Sequence, residues 1–336
     1  MTLSSFYNFT SGYGNILESI LENFPKKGID VFPRSFSVVS DRFKKYFHSD
    51  KRQSSDLDLL ICTPYKEIDM NHPLFHVGPH KNRSLFTMWE STRTNDLFID
   101  HVNKNNSLVV PNKWNKENFY NQRVDIPIHT VPLFCDTSVF KFSQNNLSEV
   151  FTFGSANGDP RKRIEDVIYC FSKAFKKSNK DVRLKIKITE RDSLKLNVLD
   201  DRIEIVRCDF TKDEMKNWYD SINVFVSCCS AEGWGMMQQE SMCCGRPVIC
   251  SNYAGLREFV TEDNSFCVGY DEEYSTGFWD SGGKWSKYKE EEMIEKMRYC
   301  FNNREEVKKK SIVSSNDASV FNEENFIYSL IKVLNL

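Results

Sequence analysis

The sequence contains no apolar run approaching the ~20 residues that a membrane-spanning helix needs, so it offers no transmembrane segment. That leaves peripheral contact with a membrane open. The N-terminal stretch MTLSSFYNFTSGYGN lacks a basic region followed by an apolar one, so no signal peptide is expected. None of the 11 cysteines forms a Cys-x-x-Cys pair, which argues against a zinc ribbon and a disulfide framework. No Gly-x-Gly-x-x-Gly follows a strand-like run, so a dinucleotide dehydrogenase is poorly supported. No Ser–His–Asp pattern, internal repeat or low-complexity tract is identifiable. Net charge is −2, and no strong field of one sign favours nucleic acid as a partner.

What is present is ordinary globular composition, 40% hydrophobic and 27% charged. The 336 residues exceed what one compact core usually holds, so two domains are expected. Most cysteines lie in apolar runs and read as buried free thiols. That implies a reducing, cytoplasmic location, in which the sequons at Asn8, Asn82, Asn105 and Asn146 are chance matches.

Short β-rich runs alternate with helical patterns, which argues for an α/β fold with parallel sheets. The early part reads as a helix over 15–24, then strands at 35–39, 57–62, 84–89, 107–110 and 128–131. Helices near 95–103 and 113–121 separate the later strands. The alternation restarts with a strand at 151–155, a helix at 164–177, the period-two run VRLKIKI at 182–188, and a strand at 203–206. Thr211 and Glu214 form a capping box. A buried strand at 223–227, a helix at 235–244 ended by Gly245, and a strand from Pro247 follow. Charged and amphipathic helices are read at 288–303 and 322–334. The polar stretch KFSQNNLSE places a boundary near 137–150. The expected organisation is an N-terminal domain over 1–140, a second domain over 141–318, and a terminal helix over 319–336.

The most informative stretch is SAEGWGMMQQESMCCGRPVIC. A strand, a glycine-bearing loop and a helix follow one another here. In an open parallel sheet such loops line the ligand crevice at the carboxyl ends of strands. The N–H groups of Gly235, Met236 and Met237 at the helix start make an anion site suited to phosphate. Gly233 and Gly235 let the backbone approach a ligand closely. Glu232 precedes the helix. Glu240 lies one turn in, and its side chain leans back toward the start. One carboxylate thus stands on each side of a phosphate cradle. A ligand with hydroxyls at both ends and phosphate between them fits: a nucleotide-sugar. The plain alternative is a helix-start charge at Glu232 and a solvated side chain at Glu240.

EGWGMMQQESMCCGRPVICSNYAGLREFV resembles the donor-site signature of the retaining glycosyltransferases of group 1, also called family 4. The typical form is EGFG…LEAM-x-CG-x-PVI…GG-x-x-E. The match runs through Glu232, Gly233, Gly235, Glu240, Met242, Cys244, Gly245, Pro247, Val248, Ile249, Gly255 and Glu258. Gln239 and Ser241 depart from the pattern, and Asn252-Tyr253-Ala254-Gly255 replaces a double glycine. SGYGN, with Gly12, Tyr13 and Gly14, is similar to the family's N-terminal glycine loop, which faces the donor across the cleft. GSANGDPRKRIEDVI is similar to the segment that supplies a basic pair to the donor diphosphate, here Arg161 and Lys162, with Arg163 as the alternative member. TMWEST and VVPNKWNKENF resemble parts of the acceptor domain, and Trp89 and Glu90 are candidates for the acceptor side. A buried aromatic beside a structural carboxylate is the other reading of that pair.

The resemblance implies a GT-B fold, with two Rossmann-like domains facing across a cleft and the C-terminal helix crossing back to the first. It implies transfer of a hexose-type sugar from a nucleoside diphosphate sugar to a glycan, lipid or small-molecule acceptor. Glu232 would lie at the donor sugar, Glu240 at the ribose, and Met236 and Met237 at the phosphates, with Trp234 among the donor-binding residues. With cations supplied by the protein, no metal or other cofactor is expected. Two alternatives are an inactive nucleotide-sugar-binding protein and a GT-B epimerase or hydrolase acting on the nucleotide-sugar alone. Asp56-x-Asp58 echoes the metal-binding Asp-x-Asp of the other glycosyltransferase architecture, but it enters the apolar strand LDLLIC. His72, His76 and His80 are spaced by four, but Pro73, Gly78 and Pro79 break the helix that would align them.

Overall fold

The period-two run VRLKIKI forms a strand with Val182, Leu184 and Ile186 turned into the core, as alternation requires. The computed structural model containing it describes residues 1–7, 12–47, 55–64, 82–147, 150–190, 192–196 and 198–336. The chain divides into two units. The first comprises Met1–Phe134, Tyr274–Gly283 and Glu323–Leu336; the second comprises Cys135–Glu273 and Lys284–Asn322.

In the first unit the elements are β1 (Thr2–Ser5), α1 (Gly12–Asn23), β2 (Phe32–Ser35), α2 (Asp41–Lys44), β3 (Leu57–Ile61), β4 (Asn82–Phe86), α3 (Asp96–Val102), β5 (Ser107–Val110), α4 (Lys113–Asn121) and β6 (Ile128–Thr130). The six strands form one sheet in the order β2-β1-β3-β4-β5-β6, with every pair parallel. Leu60, Leu85, Leu108 and Val110 pack against Phe98, Val102 and Phe119 of the covering helices. Asn95 and Asn112 cap α3 and α4, each side chain accepting from the third residue on.

The strand expected at 35–39 is displaced. β2 ends at Ser35, and Val38 is exposed. β2 lies at the sheet edge beside β1 alone, where Pro33, which lacks an N–H, is tolerated.

The second unit holds β7 (Phe151–Ala156), α5 (Ile164–Ala174), β8 (Val182–Ile188), β9 (Ile203–Arg207), α6 (Lys212–Asp220), β10 (Val224–Ser227), α7 (Met236–Cys243), β11 (Val248–Ser251) and β12 (Phe266–Val268). A two-stranded sheet of β13 (Tyr270–Tyr274) and β14 (Lys284–Tyr288) follows, then α8 (Glu290–Asn302) and α9 (Arg304–Ser319). The main sheet runs β12-β11-β10-β7-β8-β9, again all parallel. Phe151, Phe153, Ile186, Val224 and Ile249 pack against Val167 and Phe171 of α5 and Met293 and Met297 of α8. The capping box of α6 is present: Thr211 accepts from the Glu214 N–H, and Glu214 accepts from the Thr211 N–H.

The last helix, α10 (Glu323–Leu334), belongs to the first unit, where Phe326 packs beside Phe86 and Phe134. Among the described residues no helix is long and apolar enough to cross a membrane.

Both six-stranded sheets share one topological feature. In the second unit the chain steps from β7 outward to β8 and β9, then returns to β10 on the other side of β7. That reversal opens a crevice at the carboxyl ends of β7 and β10, the usual ligand position in open α/β sheets.

Candidate active site

Two loops flank this crevice. The first leaves β7 and tightens into a turn at Pro160–Lys162. Asp159 caps this turn by accepting from the Arg161 N–H at 3.0 Å. The second leaves β10 and runs to Gly235, where α7 begins. The Ser230 N–H donates to the Arg161 carbonyl at 2.9 Å, tying the loops together.

Glu232 lies between them, only 4% exposed. Arg161 Nη1 donates to its Oε2 at 2.8 Å and to the Ala231 carbonyl at 2.7 Å. Lys162 Nζ donates to Oε1. Gln238 Nε2, from the first turn of α7, donates to the same oxygen at 3.1 Å and to Ser227 Oγ at 3.0 Å. Burial pushes the Glu232 carboxyl up, but the charges and hydrogen bonds of Lys162 and Arg161 outweigh that and hold it down at about 2. It is ionised at any physiological pH.

Gly235 occupies the position before α7 with φ 103°, and a side chain there would run into Leu256. Gly235 has no side chain with which to cap this helix start. The turn at Ala254–Glu258 presses on the same loop. The Gly255 N–H donates to the Glu232 carbonyl at 2.9 Å, and a Cβ on Gly255 would lie 2.6 Å from the Gly233 carbonyl carbon.

Glu240 sits apart from that ion cluster and is partly exposed. Its Oε2 accepts from the Tyr219 hydroxyl at 3.0 Å. Burial raises its carboxyl to about 7, against the opposing hydrogen bond from Tyr219 and the charges of Lys212 and Lys187. The two glutamates thus have opposite electrostatic settings: one pinned as an anion, the other titrating near neutrality.

Trp234 is buried, packed against Phe259 and Phe321 with ring centroids 5.3 Å away in each case. Its indole N–H donates to Gln239 Oε1 at 2.7 Å, and Gln239 Nε2 donates to the Phe321 carbonyl at 2.8 Å. Gln239, a departure from the family pattern, is therefore a buried bracket between this loop and the end of α9. Arg163, the alternative basic residue, turns away. It pairs with Glu273 and donates from Nε to Ser230 Oγ at 2.7 Å. The cations on Glu232 are Arg161 and Lys162.

In the first unit, Gly12, Tyr13 and Gly14 form the first turn of α1, and Tyr13 Oη accepts from the Met88 N–H at 3.2 Å. Trp89 is buried and its indole donates to the Arg93 carbonyl at 2.7 Å. Glu90 accepts from the Trp279 indole at 2.9 Å. Asp58 is fully buried, accepting from Ser4 Oγ at 2.7 Å and Arg83 Nε at 2.8 Å. It belongs to an internal ion pair, not an open metal site. His72, His76 and His80 lie outside the described residues. Among the described residues no group of three or more His, Cys, Asp or Glu is arranged to hold a metal.

Sequence reasoning missed Gln238, Tyr219 and Glu273. Gln238 left one usable signal: an amide on the buried side of a helix beside an acidic loop needs a polar partner.

Two parallel six-stranded α/β sheets of this topology are the GT-B fold. Residues 148–276 match the family profile described as Glycosyl transferases group 1. No curated protein matches the sequence. Solved structures share the fold at low identity. TarM of S. aureus has a TM-score of 0.63 at 16% identity, over 84% of this chain and 56% of its own length. The chain thus spans little more than half of that relative. Anabaena HepE, solved in complex with UDP and glucose, has a TM-score of 0.71 at 11% identity, over 100% of this chain and 99% of its own. Sucrose-phosphate synthase of Thermosynechococcus elongatus has a TM-score of 0.73 at 12% identity, over 99% and 98%.

Proposed function

We propose that this protein is a retaining glycosyltransferase that moves a hexose-type sugar from a nucleoside diphosphate sugar to a glycan, lipid or small-molecule acceptor. The observation that carries the reading is the convergence of Arg161, Lys162 and Glu232 at the start of the helix after Gly235, in the crevice between β7 and β10.

The leaving diphosphate is taken by Arg161, Lys162 and the backbone amides of Gly235, Met236 and Met237. Bidentate guanidinium contacts and helix-start amides both suit phosphate oxygens. Groups aimed at the charge that develops on the leaving group are a large catalytic factor. In this arrangement the cations replace a divalent metal. Glu232, ionised and held by Gln238, accepts from hydroxyls of the donor sugar and stabilises positive charge at the anomeric carbon. Glu240 accepts from the ribose hydroxyls. Gly233 and Gly235 keep the loop close to the ligand.

Transfer breaks the bond from the anomeric carbon to the phosphate oxygen. It forms one from the same face to the acceptor oxygen, whose proton passes to the departing phosphate. The eleven free thiols support a reducing, cytoplasmic setting. The complex of Anabaena HepE with UDP and glucose is in keeping with a nucleotide-sugar ligand.

A thermal-shift panel of nucleotide-sugars tests this. A donor that binds the folded state raises Tm by mass action. A panel in which no nucleotide-sugar shifts Tm contradicts the reading.

A further inference from the structure

Lys187 is the penultimate residue of β8, in register with Ala156 of β7 and Val206 of β9. The strands are parallel, so it stands on the same edge of the sheet as the loops carrying Arg161 and Glu232. Period-two alternation puts it on the face of Arg183 and Lys185, which are partly exposed, yet Lys187 is only 7% exposed. Its ammonium group makes no hydrogen bond or ion pair with a described residue. It stands over the ring of Phe210, with the centroid 5.4 Å from Nζ.

The charged groups that face it are Asp209, Asp192 and Glu240, with the Cys208 thiol nearby. Asp192 is already engaged: its Oδ2 accepts from the Thr189 N–H at 2.7 Å and the Gly158 N–H at 3.0 Å. Among the described residues, Glu240 accepts a side-chain hydrogen bond from Tyr219 alone. Burial disfavours the charge on Lys187 and the charge on Glu240 alike. Two opposite charges thus stand in one partly desolvated region without touching. A ligand that donates hydrogen bonds to Glu240 and accepts one from Lys187 would satisfy both.

A nucleoside has that pattern. If Glu240 holds the ribose, as the proposed function has it, the base is the next group along the ligand. We infer that Lys187 is a specificity-determining residue that donates to an exocyclic carbonyl oxygen of the donor's base. Uracil and guanine carry such an oxygen. Adenine presents an amino group there instead, and would leave the ammonium without that acceptor. The inference rests on the reading of this crevice as a nucleotide-sugar site.

Isothermal titration of the full chain with UDP, GDP and ADP tests it, for the wild type and for Lys187→Met, with melting curves to confirm folding. The wild type is expected to bind UDP or GDP at least about tenfold more tightly than ADP. The UDP and GDP arms show which base is read. Lys187→Met should weaken that favoured diphosphate about 10- to 100-fold, as loss of a charged hydrogen bond does, and leave ADP within about twofold. Lys187→Gln, which keeps a neutral donor, should fall between. Unchanged preference in Lys187→Met, an equal loss for all three nucleotides, or a wild type that prefers ADP overturns the inference. Absence of binding by every diphosphate overturns the donor-site reading itself, and this inference with it.

Discussion

Arg161 and Glu232 stand 71 positions apart in the chain and meet at 2.8 Å between Nη1 and Oε2. Lys162 holds the other carboxylate oxygen. The cations suited to a diphosphate are thus clamped on the carboxylate suited to a sugar. Before any donor arrives, Glu232 offsets one of the two positive charges, which limits the cost of burying the three and leaves the cluster with a net positive charge. A bound diphosphate would share the same cations, so donor binding and the setting of Glu232 are coupled.

Removing one member exposes that coupling. Lys162→Met leaves Glu232 buried with a single cation. Loss of one partner from a buried pair costs about 3–5 kcal/mol, and urea denaturation should register a loss of that order near pH 7. The folded-state value for Glu232 lies below its usual one. Its contribution is therefore present above about pH 4.5 and lost as pH falls toward 2. The gap between wild type and Lys162→Met should narrow over that window.

Gly255→Ala tests the packing behind the loop. The added methyl would sit 2.7 Å from the Glu232 carbonyl oxygen, and both neighbours are backbone. Overpacking of this kind costs about 1–3 kcal/mol. A lower Tm and reduced transfer are expected, since the backbone of Glu232 and Gly233 must move. Unchanged Tm and activity would mean that the loop is not fixed from this side.

Glu240 gives the opposite pH signature. Its folded-state value of about 7 lies above that of the unfolded chain. Its contribution to stability is present below about pH 4.5 and declines as pH rises through 7. Nucleotide affinity should move the other way, rising as the carboxyl ionises and accepts the ribose hydroxyls. Glu240→Gln should flatten both profiles between pH 5 and 8. Tyr219→Phe removes a hydrogen bond that lowers the value, and should shift the affinity midpoint upward. Calorimetric titrations across this range check the direction.

Metal removal is the fourth test. With Arg161 and Lys162 on the diphosphate, EDTA should leave turnover within about twofold. Strict dependence on added manganese would contradict the assignment of those two residues.

Much of the scaffold was legible because burial imposes a period. The run at 182–188 and the helix at 113–121 were read with their observed bounds. α9 was not read, because its buried face is mostly serine: Ser311, Ser314 and Ser315 lie between Val307 and Ala318. Ser311 and Ser315 satisfy their hydroxyls on the carbonyls of Val307 and Cys243, so no apolar stripe announces the helix. The β13–β14 excursion was also missed, since exposed Asp271 and Glu272 give β13 little hydrophobic alternation. At the candidate site, the motif pointed to Glu232 and Glu240, and the resemblance pointed to Arg161 and Lys162. What it left open was which cations meet Glu232. That depends on Arg163, held at φ 52° and paired with Glu273 of β13, a contact across 110 positions that no local pattern encodes. Nor could it show that Gln238 completes the grip on Glu232.

The most direct measurement is sugar transfer by Glu232→Gln, a variant that keeps the shape and removes the charge facing Arg161 and Lys162. Folding is checked by Tm, and nucleoside diphosphate release is followed with the donor that stabilises the wild type most. The account predicts a folded protein that still binds the donor and transfers at least about 100-fold more slowly, in line with removal of one group aimed at developing charge. A folded Glu232→Gln protein that transfers at the wild-type rate would contradict it.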